Sequence, residues 1–96
     1  MKRFRLSSEA AGDIREIRDY IANDDLRAAG RVRLQILGAC RALAMNPAIG
    51  HKRQDITDRP VLFWPVGSYL VVYQYVDRFV EIIRVIHAAR DAPNIL

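Results

Sequence analysis

Lys52, Arg53, Arg59, Arg84, His87 and Arg90 are the side chains of this sequence best equipped for chemistry on a phosphate. Phosphate chemistry on RNA needs cations to stabilise the extra charge of the transition state and an acid–base group to move protons. Lysine and arginine supply the first requirement, histidine the second. Each candidate also has a plainer reading. "HKR" at 51–53 can be a solvated turn. Arg84 stands in an aliphatic run between Ile82 and Ile86, where it can be a structural arginine paired with a carboxylate such as Asp55 or Asp58. Strand alternation puts Arg84 on one face with Ile82 and Ile86, and His87 on the other with Glu81, Ile83 and Val85. The two meet only if the strand bulges or ends by residue 87.

Other chemistries find little support. Cys40 lies beside the apolar face of a helical segment and reads as a small buried hydrophobe. The sequence has no CxxC, HExxH or glycine-rich phosphate loop, and two histidines, His51 and His87, do not make a metal site, so no metal or cofactor is expected. Tyr69, Tyr73 and Tyr75 recur at strand spacing and read as half-buried sheet residues rather than base-stacking platforms. Trp64, next to Pro65, is expected to cover the helices on the sheet.

The elements that must position these groups follow from punctuation and period. "RFRLS" (3–7) alternates and predicts an edge strand. Ser7 is placed as a helix cap with Glu9 in the first turn, and Ala10, Ile14, Ile17 and Ile21 give the helical period of a first helix over 8–22. "NDD" (23–25) breaks it and offers Asp25 as the next cap. Val32, Ile36, Ala39 and Leu43 mark a second helix, which "NP" (46–47) stops. A polar loop with a basic centre, "AIGHKRQDITDRP" (48–60), precedes strands at 61–66, 67–75 and 79–87, with turns at Gly67-Ser68 and 76–78. The predicted fold is α+β: an N-terminal strand, an antiparallel two-helix hairpin, then a three-stranded antiparallel meander, β-α-α-β-β-β.

Ninety-six residues predict a single domain, 1–96, with one modest core. Hydrophobic content of 51% with 27% charged residues belongs to a folded chain and argues against disorder. The basic start "MKRFRLSSEA" lacks the apolar stretch of a signal peptide, no run approaches a membrane span, and one cysteine suits a reducing cytoplasm. A net charge of +4 and pI near 9.7 favour an acidic partner, either nucleic acid or an acidic protein segment.

Three stretches, "IGHKRQDI", "FWPVGSYLVVYQ" and "VEIIRVIHAARD", together with "RLSSEAAGDIREI", resemble the RelE/ParE toxin superfamily of toxin–antitoxin systems over nearly the whole chain. The resemblance implies a small toxin held inactive by a cognate antitoxin in a hetero-oligomer. RelE-like members bind the ribosome and cut messenger RNA with a basic cluster and a terminal acid–base residue. ParE-like members lack most of that cluster and poison DNA gyrase. On the first reading Lys52, Arg84 and His87 are the catalytic residues. On the second there are none, and Lys52, Arg53, Arg59, Arg84, His87 and Arg90 are contacts to the target, with a contribution from the C-terminal "DAPNIL". "VEIIRVIHAARD" resembles the ParE branch more closely, and only one lysine follows residue 2, so the gyrase-directed reading is preferred.

Overall fold

Ser7 marks the first change of backbone direction. In the computed structural model, which describes residues 3–91, Arg3–Leu6 form strand β1. The Ser7 hydroxyl oxygen accepts the Ala10 N–H at 3.0 Å, satisfying one of the amides a helix leaves unbonded at its start. Helix α1 runs Ser8–Ala22, with Glu9 in its first turn. Asp25 repeats the device by accepting the Ala28 N–H at 3.1 Å, and helix α2 runs Leu26–Met45. It stops at Asn46, before a short 3-10 turn at Pro47–Ile49. Both caps and the proline stop are where the sequence puts them.

Strands β2 (Leu62–Val66), β3 (Tyr69–Val76) and β4 (Phe79–His87) form the expected antiparallel meander. Gly67, at φ +57°, makes the first turn without a steric penalty, and Asp77 adopts the same left-handed conformation in the second. β1 joins the far side of β4 in parallel, giving the order β1-β4-β3-β2. The layout is the predicted β-α-α-β-β-β, with strand ends shifted slightly: Ser7, Val61, Gly67 and Ser68 fall outside the strands, and Val76 falls inside β3.

Both faces of the sheet are buried, which the sequence reading did not anticipate. On one face Val71, Tyr73 and Ile82 pack against Ile14 and Ile17 of α1 and Ile36 and Leu43 of α2. On the other, Phe63, Leu70, Val72 and Ile86 are buried with Val61, with Ile56 of the basic loop packed against them. The loop therefore acts as a cover over a second, smaller core.

The expected alternation of β4 is also corrected. Tyr73 pairs with Ile82 but Val72 pairs with Arg84, so β4 carries one extra residue, Ile83. A bulge of this kind reverses the side-chain parity of the strand residues beyond it. Ile82 lies in the helix-side core and Ile86 in the opposite one, so they share no face. Past Ile82, β1 no longer pairs with β4, and the cap residue Ser7 and Asp13 of α1 supply the missing partners. The Ser7 N–H donates to the Ile82 carbonyl at 2.9 Å, the Ser7 hydroxyl to the Ile83 carbonyl at 2.8 Å, and the Val85 N–H to Asp13 Oδ2 at 3.0 Å.

Candidate functional site

The basic candidates fall into two places. Lys52, Arg53 and Arg59 belong to the loop that covers the second core. His51 exchanges two backbone hydrogen bonds with Phe63, donating at 2.9 Å and accepting at 2.8 Å, so the loop enters as a short extension of the sheet beyond β2. The His51 ring stacks with that of Trp64, centroids 6.2 Å apart. Trp64 itself packs toward the helix-side core, as expected. Arg53 is bidentate to Asp55, Nε to Oδ1 at 2.9 Å and Nη2 to Oδ2 at 2.8 Å, and this hydrogen bonding holds the Asp55 carboxyl below the usual carboxylate range. Lys52 and Arg59 are exposed.

Arg84, His87 and Arg90 lie at the other place, the C-terminal end of β4 beside α1. They line one cleft of about 500 Å³ with Tyr20, Tyr69 and Asp13. Arg84 and His87 both lie beyond the bulge and so keep opposite faces, Arg84 paired with Val72 and His87 with Tyr69; they reach one cleft because β4 ends at His87. Arg84 is not free. Its Nε donates to Asp13 Oδ2 at 2.7 Å and its Nη2 to Asp13 Oδ1 at 2.9 Å, and the pair is largely buried, with 26% and 12% of the side chains exposed. The structural partner is Asp13 on α1 in place of Asp55 or Asp58. The Asp13 carboxylate raises the guanidinium pKa further above its ordinary value.

His87 is held at its backbone and at one ring nitrogen. Its N–H donates to Asp91 Oδ2 at 3.0 Å, and its Nδ1 accepts the Arg90 N–H at 3.1 Å, which leaves the neutral ring's proton on Nε2. Tyr69 meets the ring edge-on at 5.5 Å. Arg90 Nε donates to Asp91 Oδ1 at 3.0 Å, and this bond, with that from the His87 N–H, keeps the Asp91 carboxyl below its usual range. The cleft as a whole is not cationic: the carboxylates of Asp13, Glu16 and Asp91 line it along with the guanidiniums of Arg84 and Arg90 and the His87 ring. It has no surplus of cations to draw in a phosphate.

The two places are not one site. Pairing runs in a row from His51 to Phe63, Val72 and Arg84. Three inter-strand spacings put the loop backbone about 14 Å from that of Arg84, and the Arg84 guanidinium is committed to α1 on the far side of β4. Lys52 thus does not join Arg84 and His87. Burial pushes the Cys40 thiol up to about 11, so it is no thiolate nucleophile. Among the described residues no group of His, Cys, Asp and Glu converges as metal ligands, and no helix is long and apolar enough to cross a membrane.

Some features of the core and surface escaped the sequence reading. Tyr73 is fully buried and Tyr75 exposed, so the three tyrosines are not alike. α2 carries Arg27, Arg31, Arg33 and Arg41 and no carboxylate, and among the described residues none of the four has an ion pair. That signal lay in the sequence as a helix with one sign of charge. Beside it, Leu6, Ile14 and Leu37 floor a cleft of about 310 Å³ that Arg15, Arg18 and Arg33 also line.

Comparison with known proteins is consistent across sequence and fold. The model of the family described as ParE toxin of type II toxin-antitoxin system, parDE, matches residues 4–92. The chain is 36% identical over 95 residues to a protein named as toxin Y4kP of Sinorhizobium fredii, covering 99% of this chain and 97% of that one. It is also 36% identical over 81 residues to Toxin RelE2 of Caulobacter vibrioides, covering 84% and 89%. In fold it is similar to a chain of the chromosomal ParDE system from P. aeruginosa, with a TM-score of 0.76 at 16% identity over 91% of this chain and 96% of the other.

Proposed function

Because the chain belongs to the ParE toxin family of type II toxin–antitoxin systems, we propose that it poisons DNA gyrase by binding it, without cutting RNA, and that a cognate antitoxin holds it inactive. The observation that carries this reading is the separation of Lys52 from Arg84 by three strand spacings, with Arg84 held by Asp13. A phosphate transferase needs its cations and its acid within reach of one phosphate. A binding inhibitor needs only a surface, and the exposed Lys52, Arg53 and Arg59 on a braced loop offer one. Arg90, exposed beyond β4, offers a separate contact at the other place.

The second reading is ribosome-dependent cleavage of messenger RNA by Lys52, Arg84 and His87. Two observations favour it: the relative named Toxin RelE2, and His87 lining the same cleft as Arg84 with its Nδ1 taken by the Arg90 N–H, which leaves Nε2 for proton transfer. His87→Ala and His87→Gln separate the readings. A gyrase poison has no proton to deliver, so both variants should keep their inhibition apart from lost contact area. A ribonuclease using His87 as general acid should lose roughly 10²–10⁴-fold in rate and show a pH dependence where histidine titrates.

The antitoxin reading rests on charge and on an edge. The unpaired arginines of α2 and the apolar cleft beside them suit an acidic, amphipathic segment that folds on binding. β1 is an edge strand able to accept another. The product of the adjacent antitoxin gene should co-purify with the chain, and its affinity should fall as salt rises while an apolar component persists. Failure to co-purify, together with failure to relieve growth arrest, removes this part of the reading.

A further inference from the structure

We propose that the hydroxyl of Tyr73 is the positioning group of the basic loop, acting on target binding through Lys52 and Arg53 rather than by contact. The inference rests on the proposed role of this loop in meeting the target. Tyr73 projects from the middle of β3 into the helix-side core, where its side chain has no exposure. Its hydroxyl emerges at the start of the loop. There it donates to the Pro47 carbonyl at 2.7 Å and accepts the Gly50 N–H at 2.8 Å. Burial raises its pKa, so the proton for Pro47 is retained through the neutral range.

Gly50 completes the junction. Its φ is −71°, a value any residue adopts, so conformational freedom does not explain the glycine. Space does: a Cβ there would lie 2.3 Å from the Tyr73 hydroxyl and 2.6 Å and 2.8 Å from its ring carbons. Real Cβ atoms essentially never approach so closely, and the obstacle is a ring locked in the core. The next residue, His51, opens the two-bond bridge to Phe63, and Lys52 and Arg53 come directly after it. One buried hydroxyl therefore sets where the chain leaves the 3-10 turn and in which direction the basic run is presented. Ile56, seated on the second core, fixes the loop farther along.

The test is Tyr73→Phe in the full-length chain, purified free of antitoxin, with amide exchange and inhibition measured on the same preparation. Exchange at His51 and Phe63, whose amides bridge the loop to β2, should accelerate at least about tenfold beyond any global change. Inhibition of gyrase supercoiling by the purified protein should weaken by a similar factor. Ile36→Val, a core change on α2 that leaves the Tyr73 hydroxyl and its bonds to Pro47 and Gly50 in place, serves as a control for lost stability and should change neither the loop pattern nor the inhibition. Should Tyr73→Phe fail to fold, Gly50→Ala, which must displace the same ring, is read for the same amides. Unchanged exchange across 51–63 overturns the positioning role. A loosened loop with undiminished inhibition overturns its link to the target, because Lys52 and Arg53 are then not the contact. Absence of inhibition by the parent is a failure of the gyrase reading, and it leaves the exchange result to judge the hydroxyl on its own.

Discussion

Replacing Arg84 by alanine is expected to lower stability by on the order of 3 kcal/mol, at the low end of the range for breaking a buried ion pair because the guanidinium keeps a quarter of its surface in solvent. The change strands the Asp13 carboxylate, which retains only the Val85 N–H. Asp13→Ala should cost at least as much. It removes the bidentate partner of Arg84 and also the acceptor that closes the open edge of β4. For a domain of this size a loss near 3 kcal/mol corresponds to roughly 12–24 °C in Tm. Thermal unfolding of both variants followed by circular dichroism measures it. Variants that melt with the parent yet fail to inhibit would instead place Arg84 at the working surface.

Phe63→Ala should be comparably damaging. Phe63 is 2% exposed and is the largest side chain of the core beneath the basic loop. Truncating a buried phenylalanine typically costs about 3–5 kcal/mol, as lost transfer energy plus a cavity. Its neighbour Trp64 faces the other way, is only half-buried and should cost less as Trp64→Ala. In urea unfolding the Phe63 variant should show a lowered midpoint with an unchanged slope. A loss below that of Trp64→Ala would mean that the loop does not cover a true core. Loss of inhibition in Phe63→Ala under conditions where it is folded would fit a loop that must be braced from below.

These variants also show which parts of the molecule the sequence could disclose. Ser7, Asp25 and Pro47 act on their immediate neighbours, so the helix ends were legible from local chemistry alone. The strand order of the meander came from short turns at Gly67 and Asp77. The Arg84–Asp13 pair joins residues on two elements far apart in the chain, and nothing marks Asp13 among the other charges of α1. The bulge at Ile83 is a property of the pairing with β3, since any aliphatic residue fits a strand run with or without it. For that reason simple alternation put Ile82 and Ile86 on one face, whereas Arg84 and His87, both beyond the bulge, keep the opposite faces it gave them and share a cleft only because β4 ends there. The cover formed by Ile56 was hidden because a single apolar residue in a polar loop carries no period. Gly50 gave a weak signal, a glycine directly before "HKR", whose meaning depends on the buried ring of Tyr73. The candidate contact "DAPNIL" lies, after Asp91, outside the described residues.

The most direct measurement is a paired assay of the purified toxin: supercoiling by DNA gyrase, and cleavage of messenger RNA on ribosomes, each with and without the antitoxin. Gyrase poisoning predicts dose-dependent loss of supercoiling that antitoxin reverses, with no ribosome-dependent cleavage. Cleavage of messenger RNA by the parent that disappears in His87→Ala and His87→Gln while their fold stays intact, with supercoiling untouched, would contradict it.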